Sequence, residues 1–232
     1  MSRIATGARP SPNIWRFPRV YEIENRAVDA DGVIEDVMLG LRTWEDADIL
    51  DVGCGTGFHL PRFAVDAARV VGVEPHPVLA ASARRRCRGL PNVEVVIGTA
   101  QDCGLPPASV DVAHARWAYF FGPGCEPGLR ELDRVMRRGA VAFVIDHDAS
   151  RSTFGRWFRR ANPRYDPRAV DEFFSRHGWS TIREQVRWSF DSRADFEAVI
   201  GIEFAPEHAA RILAEHSGPQ VDSAVAIRVR RF

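Results

Sequence analysis

The stretch Ile49-Leu50-Asp51-Val52-Gly53-Cys54-Gly55-Thr56-Gly57 runs a short apolar segment straight into three alternating glycines, with the carboxylate of Asp51 at the mouth of the bend. Glycines at this spacing let the chain take positive φ and remove the Cβ atoms that would hold a ligand off the backbone. That matters at the carboxyl end of a strand in an open α/β sheet, where such folds bind their ligands. A second apolar segment, Val71-Gly72-Val73-Glu74, also ends in an acid. A carboxylate at that point can accept both hydroxyls of a ribose; capping the next helix is the plainer role for the same residue.

Two details separate the candidate nucleosides. A dinucleotide site reads GxGxxG and holds a pyrophosphate at a helix N-terminus. This chain reads GxGxG, with Phe58 where the third glycine of that pattern would fall. Asp51 would repel a pyrophosphate but could orient a ligand carrying an ammonium group. The residues favour S-adenosylmethionine over NAD.

Positioning such a site requires buried parallel strands separated by helices. Asp48 to Val52, Arg69 to Val73, Val93 to Ile97, Val110 to Ala113 and Ala140 to Ile145 are strand-length and rich in Val, Ile and Ala, as in sheets covered on both faces. Apolar stripes at Val33, Ile34, Val37, Met38 and Leu41, and at Leu129, Leu132, Val135 and Met136, predict helices between them, and a helix is expected to begin near Phe58. Later, Pro167 to His177 reads as a helix stopped by Gly178, followed by a strand from Trp179 to Trp188. Residues Val221, Ser223, Val225, Ile227 and Val229 alternate as an antiparallel or edge strand. Between those strands, Ser192-x-x-Asp195, Pro206 and Gly218 bracket one or two short helices that either wall a pocket or only cover core.

The 232 residues are 45% hydrophobic and 27% charged, the composition of a soluble globular domain rather than a disordered or fibrous chain. Basic and acidic residues number 31 each, so no net field calls for nucleic acid, and every basic residue is Arg. Cys54, Cys87, Cys103 and Cys125 form no CxxC pair and read as reduced thiols, Cys125 in Pro123-Gly124-Cys125 included. The apolar run Ala140 to Ile145 is too short to cross a bilayer, and Met1 to Asn13 lacks the apolar core of a signal peptide; a cytoplasmic protein without a membrane partner is expected. The layout is an N-terminal cap segment and helix over 1–44, a nucleoside-binding core over 45–150, and a C-terminal part of the same domain over 151–232 with a helical insertion at about 192–217.

With these residues in view, the chain resembles the class I S-adenosylmethionine-dependent methyltransferases. Asp51-Val52-Gly53-Cys54-Gly55-Thr56-Gly57 matches their first motif, and Glu74 matches their ribose-binding acid. Gly98-Thr99-Ala100-Gln101-Asp102 looks like their third-strand motif around the adenine, with Thr99 where the family often has an acid and Asp102 available in its place. Leu105-Pro106, Val110-Asp111-Val112 and Leu132-Asp133-Arg134-Val135-Met136-Arg137-Arg138-Gly139 continue the pattern. The resemblance implies a doubly wound, Rossmann-like, seven-stranded and mostly parallel sheet with an antiparallel last strand. It also implies S-adenosylmethionine as cofactor. Asp51, Gly53, Cys54, Gly55, Gly57, Glu74 and Pro75 would hold it from the first two strands, with Ala100, Gln101, Asp102, Ala115 and Arg116 from the next two.

Methyl transfer from a sulfonium is an in-line displacement with an activated leaving group. Positioning can therefore supply much of the catalysis, roughly 7 to 11 kcal/mol in well-oriented systems, and a base is needed only if the acceptor must lose a proton. Acceptor candidates follow strands four and five: His114, Arg116, Trp117 and Tyr119, then Asp146, His147 and Asp148. His147 is the first candidate base, because an imidazole flanked by carboxylates could titrate near neutrality; a hydrogen-bonding loop histidine is the plainer reading. Tyr119 and Tyr21 are further catalytic candidates. Trp15 and Tyr21 belong to an aromatic segment, Asn13 to Glu22, too irregular for core, which either closes over the site or anchors the N-terminus.

The chain has neither the [DN]PP[YF] sequence of base amino-methyltransferases, nor a Pro-Cys nucleophile, nor a paired-glutamate hairpin. Asp146 and Asp148 lack the third carboxylate, from strand four, that a magnesium site would need, so no metal is expected. Arg151, Arg156, Arg159, Arg160, Arg164 and Arg168 interleave with Phe154, Trp157, Phe158 and Tyr165. That pattern suits RNA or an anionic substrate, or simply an amphipathic helix with snorkelling arginines. The expectation is methyl transfer to a small-molecule acceptor at O or N by a monomer or homodimer, nucleic acid being disfavoured. The alternatives are an RNA or protein methyltransferase using 151–168 and a non-catalytic cofactor-binding subunit.

Overall fold

Seven strands form one sheet in the order β3-β2-β1-β4-β5-β7-β6 in the computed structural model, which describes residues 4–232. The strands are β1 (Asp48–Val52), β2 (Arg69–Val73), β3 (Val93–Val96), β4 (Val110–Arg116), β5 (Met136–His147), β6 (Ser180–Ser189) and β7 (Gln220–Arg231). The first five pair in parallel, and β7 runs antiparallel to both β5 and β6. Strand order reverses between β1 and β4, which opens a crevice at their carboxyl ends. The start of the expected cap segment, residues 1–3, lies outside the described residues.

Both faces of the sheet are covered, which is why β1 and β2 are buried along all but their first residue. One face packs Leu50, Val52, Val71 and Ala113 against Leu129 and Leu132 of α6 (Glu126–Val135) and Phe174 of α8 (Pro167–Arg176). The other packs Ile49, Val70 and Val112 against Ile34 and Met38 of α3 (Val33–Leu41) and Ala80 and Ala83 of α5 (Pro77–Arg86). A third cluster joins Phe154 and Trp157 of α7 (Thr153–Ala161) to Trp188 on β6 and to Phe196 and Ile200 of α9 (Arg193–Glu203). Among the described residues no helix is long and apolar enough to cross a membrane.

The insertion is α9 followed by α10 (Pro206–Glu215); Ser192 caps α9 by accepting from the Asp195 N–H, as its spacing predicts. Several boundaries differ from expectation. The helix after the glycine bend is only α4 (Leu60–Phe63), starting after His59. Its chain turns back at once, through Ala67 N–H to the Phe63 carbonyl and Ala68 N–H to the Ala47 carbonyl, to begin β2. The segment Asn13 to Glu22 is helical rather than irregular, within α1 (Pro12–Arg16) and α2 (Pro18–Ala27), each opened by a proline in its first turn.

The glycine bend itself is held by close approaches. Gly57 has φ +79°, and a Cβ there would lie 2.9 Å from Ala83 Cβ on α5. Gly57→Ala is therefore expected to destabilise the fold by about 2 to 4 kcal/mol, from backbone strain plus overlap. Gly89→Ala, where φ is +93° but nothing lies within 4 Å of the added carbon, should show only the strain, about 1 kcal/mol. Urea unfolding with unchanged slope measures both, and equal losses would remove the packing role given to Gly57.

Candidate active site

A cavity of about 510 Å3 opens at the crevice between β1 and β4, within the range of small-ligand sites. Its floor is the end of β1 and the glycine bend, its donor-side wall the ends of β2 and β3, and its roof α1, α2 and the end of α9. The glycines admit the roof. A Cβ on Gly53 would lie 2.6 Å from Ala118 Cβ and collide, while one on Gly55, at φ +56°, would displace the end of the Ile14 side chain of α1, 2.8 Å away.

Asp51, 2% exposed, is bonded through Oδ1 to His114 Nδ1 at 2.8 Å, which ties β1 to β4. Its Oδ2 is buried with no partner, in a residue that lines the cavity. The Glu74 carboxylate accepts the Gly55 N–H at 2.9 Å and the His76 N–H at 2.8 Å. Each oxygen keeps a lone pair for a further donor. Burial raises the Glu74 carboxyl to about 7, against the opposing pull of its two backbone bonds and with Asp51 adding a like charge.

The N-terminal segment straps over this floor. Ala5 N–H bonds the Pro75 carbonyl, Gln101 Nε2 donates to the Gly7 carbonyl at 2.9 Å, and Arg9 reaches the Gly124 carbonyl at 2.9 Å while lying 5.1 Å over the Tyr119 ring. From α2, Glu22 accepts from the Thr56 hydroxyl and pairs with Arg86 at 2.5 Å. Trp15 and His76 lie 5.0 Å apart, centroid to centroid. Trp15 and Tyr21 both line the cavity.

Most residues singled out in the sequence converge here: Asp51, Gly53, Cys54, Gly55, Glu74, Pro75, Ala100, Gln101, Arg116, Tyr119, Tyr21 and His147 all contribute to the wall. Three do not. Gly57 packs beneath the bend on Ala83. Asp102 is exposed and only its backbone engages, bridging to Thr99, which lines the wall instead. Ala115 points into the sheet's other face beside Ala113, because strand residues alternate. Cys54 offers backbone alone: its thiol is packed where a Gly72 Cβ would lie, 2.8 Å away, and burial pushes it well up.

His147 lies on the wall but in a different electrostatic setting from the one expected. Asp146 turns to accept from the His147 backbone N–H, and Asp148 is taken by Ser150 and Arg183, so neither carboxylate faces the imidazole. The ring is stacked on Trp117 at 4.9 Å and lies 4.6 Å from Phe154. Burial, and then the Arg116 charge, push it down to about 3, so it stays neutral at physiological pH. The arginines of 151–168 lie at the surface or half-buried while Phe158 and Tyr165 face the cavity, an amphipathic arrangement. Among the described residues no group of three His, Cys, Asp or Glu side chains converges as a metal site.

Sequence reasoning missed His59, Glu24 and Glu203 on this wall, while Thr99, Phe158 and Tyr165, each named in the sequence motifs, do line it. Glu24 and Glu203 had a signal: each lies on the inner stripe of its helix, Glu24 three residues after Tyr21 and Glu203 three after Ile200.

Residues 49–139 match the family model described as a methyltransferase domain. YcgJ of Bacillus subtilis, named as an uncharacterized methyltransferase, is 28% identical over 120 residues, covering 50% of this chain and 47% of that protein. Its crystal structure gives a TM-score of 0.62 at 16% identity, covering 85% of this chain and 97% of that one. A dTDP-4-amino-2,3,4,6-tetradeoxy-D-glucose N,N-dimethyltransferase of Saccharopolyspora spinosa is 37% identical over 79 residues, covering 34% of this chain and 30% of that protein. The crystal structure of a SAM-dependent methyltransferase from Aquifex aeolicus gives a TM-score of 0.57 at 17% identity, covering 95% of this chain and 99% of that one. The chain thus spans about half or less of the length of these curated relatives, and the structural likenesses are of fold. The fold is that of the class I methyltransferases, and the matched methyltransferase domain occupies residues 49–139.

Proposed function

We propose that the chain transfers a methyl group from S-adenosylmethionine to a small-molecule acceptor, at O or N. The observation that carries the donor assignment is the unpartnered, buried Asp51 Oδ2 beside a glycine bend that has no room for a side chain. Asp51 would bind the donor's ammonium group, Glu74 its ribose hydroxyls, and the Gly53 to Gly55 backbone would lie along it. When bound, this donor supplies a methyl group on a sulfonium, already activated for in-line transfer. The protein's residues orient the two partners and, through the Glu22–Thr56 and Glu22–Arg86 ties of the roof, exclude water.

A small acceptor is favoured by the enclosure. The remaining space is roofed by Trp15, Tyr21 and the Ile202–Glu203 end of α9 and walled by Trp117, Phe158 and Tyr165. The arginines of 151–168 are exposed, and none of them lines the cavity. The sugar methyltransferase among the relatives is consistent with this class of acceptor.

Calorimetry should show S-adenosylmethionine binding, with Asp51→Asn weakening it roughly ten- to a hundredfold, the worth of one charge-assisted hydrogen bond. Unchanged affinity, or tighter binding of NADH, would refute the donor assignment. Glu74→Gln should weaken the donor too, yet stabilise the empty protein. Because the folded state holds the Glu74 proton up to about 7, the parent loses stability as pH rises from the ordinary carboxylate range through 7, and the amide does not. The variant should match the parent near pH 4 and exceed it at pH 8 by up to about 3 kcal/mol. A less stable variant at pH 8, by urea unfolding, would contradict the burial argument.

A further inference from the structure

The roof of the cavity carries a charge arrangement that donor binding does not use. Glu24 of α2 is 3% exposed, its Oε2 has no partner, and it lines the cavity together with Glu203 at the end of α9. Glu203 is fixed in turn by Asn13 Nδ2, which donates to its Oε1 at 2.7 Å. Burial raises both above the ordinary carboxylate range, and the charge of Glu203 raises Glu24 further. Both line the same roof, and the titration of either belongs to both residues together.

Across the cavity, Arg116 extends from the end of β4, 4.4 Å over the Trp117 ring, with its Nε buried and unpartnered. The charged and titratable groups facing the pair are Tyr21 from α2 and Arg116 from β4, and Arg116 is also influenced by Asp29. His147 on the same wall is held neutral by burial and the Arg116 charge.

Taking the donor reading as given, we propose that the Glu24–Glu203 pair is the general base of the acceptor site, that Arg116 receives the oxyanion it creates, and that the acceptor is a hydroxyl compound on a planar apolar skeleton held by Trp117, His147, Phe158 and Tyr165. The acceptor O–H proton passes to an ionised carboxylate of the pair, which becomes a neutral carboxyl. The oxygen's electron pair forms the new O–CH3 bond, and the electrons of the broken C–S bond stay on sulfur, which departs as a neutral thioether. Proton transfer moves the negative charge from the pair to the oxygen beside the guanidinium, so the cavity's total charge is unchanged. An ammonium acceptor would instead enter next to a like charge in a site of low dielectric.

The test uses the full chain saturated with S-adenosylhomocysteine and titrated with 4-nitrophenol, whose phenolate absorbs visible light. Bound probe should ionise at lower pH than free probe, and Arg116→Gln should abolish that difference. With a panel of phenols, alcohols and amines, turnover should yield methyl ethers. Glu24→Gln and Glu203→Gln should each lower kcat on the order of a hundredfold and remove the alkaline rise of the pH profile, with donor affinity within about threefold of the parent. Probe bound only as neutral phenol, preferential binding or methylation of amines, or full activity in both glutamine variants overturns the proposal. Loss of donor binding by the parent would overturn the donor reading instead, and calorimetry separates the two.

Discussion

At the carboxyl end of β1 the backbone must approach three other elements at van der Waals distance within five residues. Ala118 lies over Gly53, Ile14 of α1 over Gly55, and Ala83 of α5 against Gly57. A Cβ at Gly53 or Gly57 would push its neighbour away and one at Gly55 would displace the Ile14 side chain, and each sets a different boundary. Ala118 belongs to the loop after β4 on the cavity wall, Ile14 to the roof, and Ala83 to the helix α5. The cavity therefore takes its shape from the absence of three side chains. The strand ends then fix its chemistry, because Glu74 is bonded to the Gly55 N–H and Asp51 to His114 across the switch point.

The same end of the molecule concentrates buried acids. Asp51, Glu74 and Glu24 are each less than 5% exposed, and Glu203 lines the roof with Glu24. Burying carboxylates costs solvation that neighbouring backbone donors return only in part, which is why Glu74 and the glutamate pair hold their protons to higher pH than free carboxylates. A fold selected for stability alone would place apolar side chains at these positions. Departures from local rules gather where a protein works, and here they gather at one crevice.

Much of this architecture is local enough to read from the chain. Strands β1, β2 and β7 declare themselves by unbroken or alternating apolar residues, and Ser192 marks the start of α9 through a side chain that caps three residues on. Asp51 and Glu74 are legible because each ends an apolar run beside glycine. Other features depend on contacts distant in sequence. Whether Ala115 or Arg116 faces the cavity is decided by the phase of β4 against its neighbours. The imidazole of His147 is flanked by acids in sequence, yet in space Trp117 and Phe154 surround it. The Glu24–Glu203 pair spans α2 and α9, and only the folded chain brings them together. The isolated signal, an acid on an apolar helical stripe, is present in both but does not name its partner.

A crystal structure of the protein grown with S-adenosylhomocysteine would probe the nucleoside site most directly. The ribose hydroxyls should lie within hydrogen-bonding distance of the Glu74 carboxylate, with the ammonium group on Asp51 Oδ2 and the backbone of Gly53 to Gly55 alongside. Density for the nucleoside elsewhere, or with its ribose turned away from Glu74, would show that the glycine bend serves only the packing of the fold.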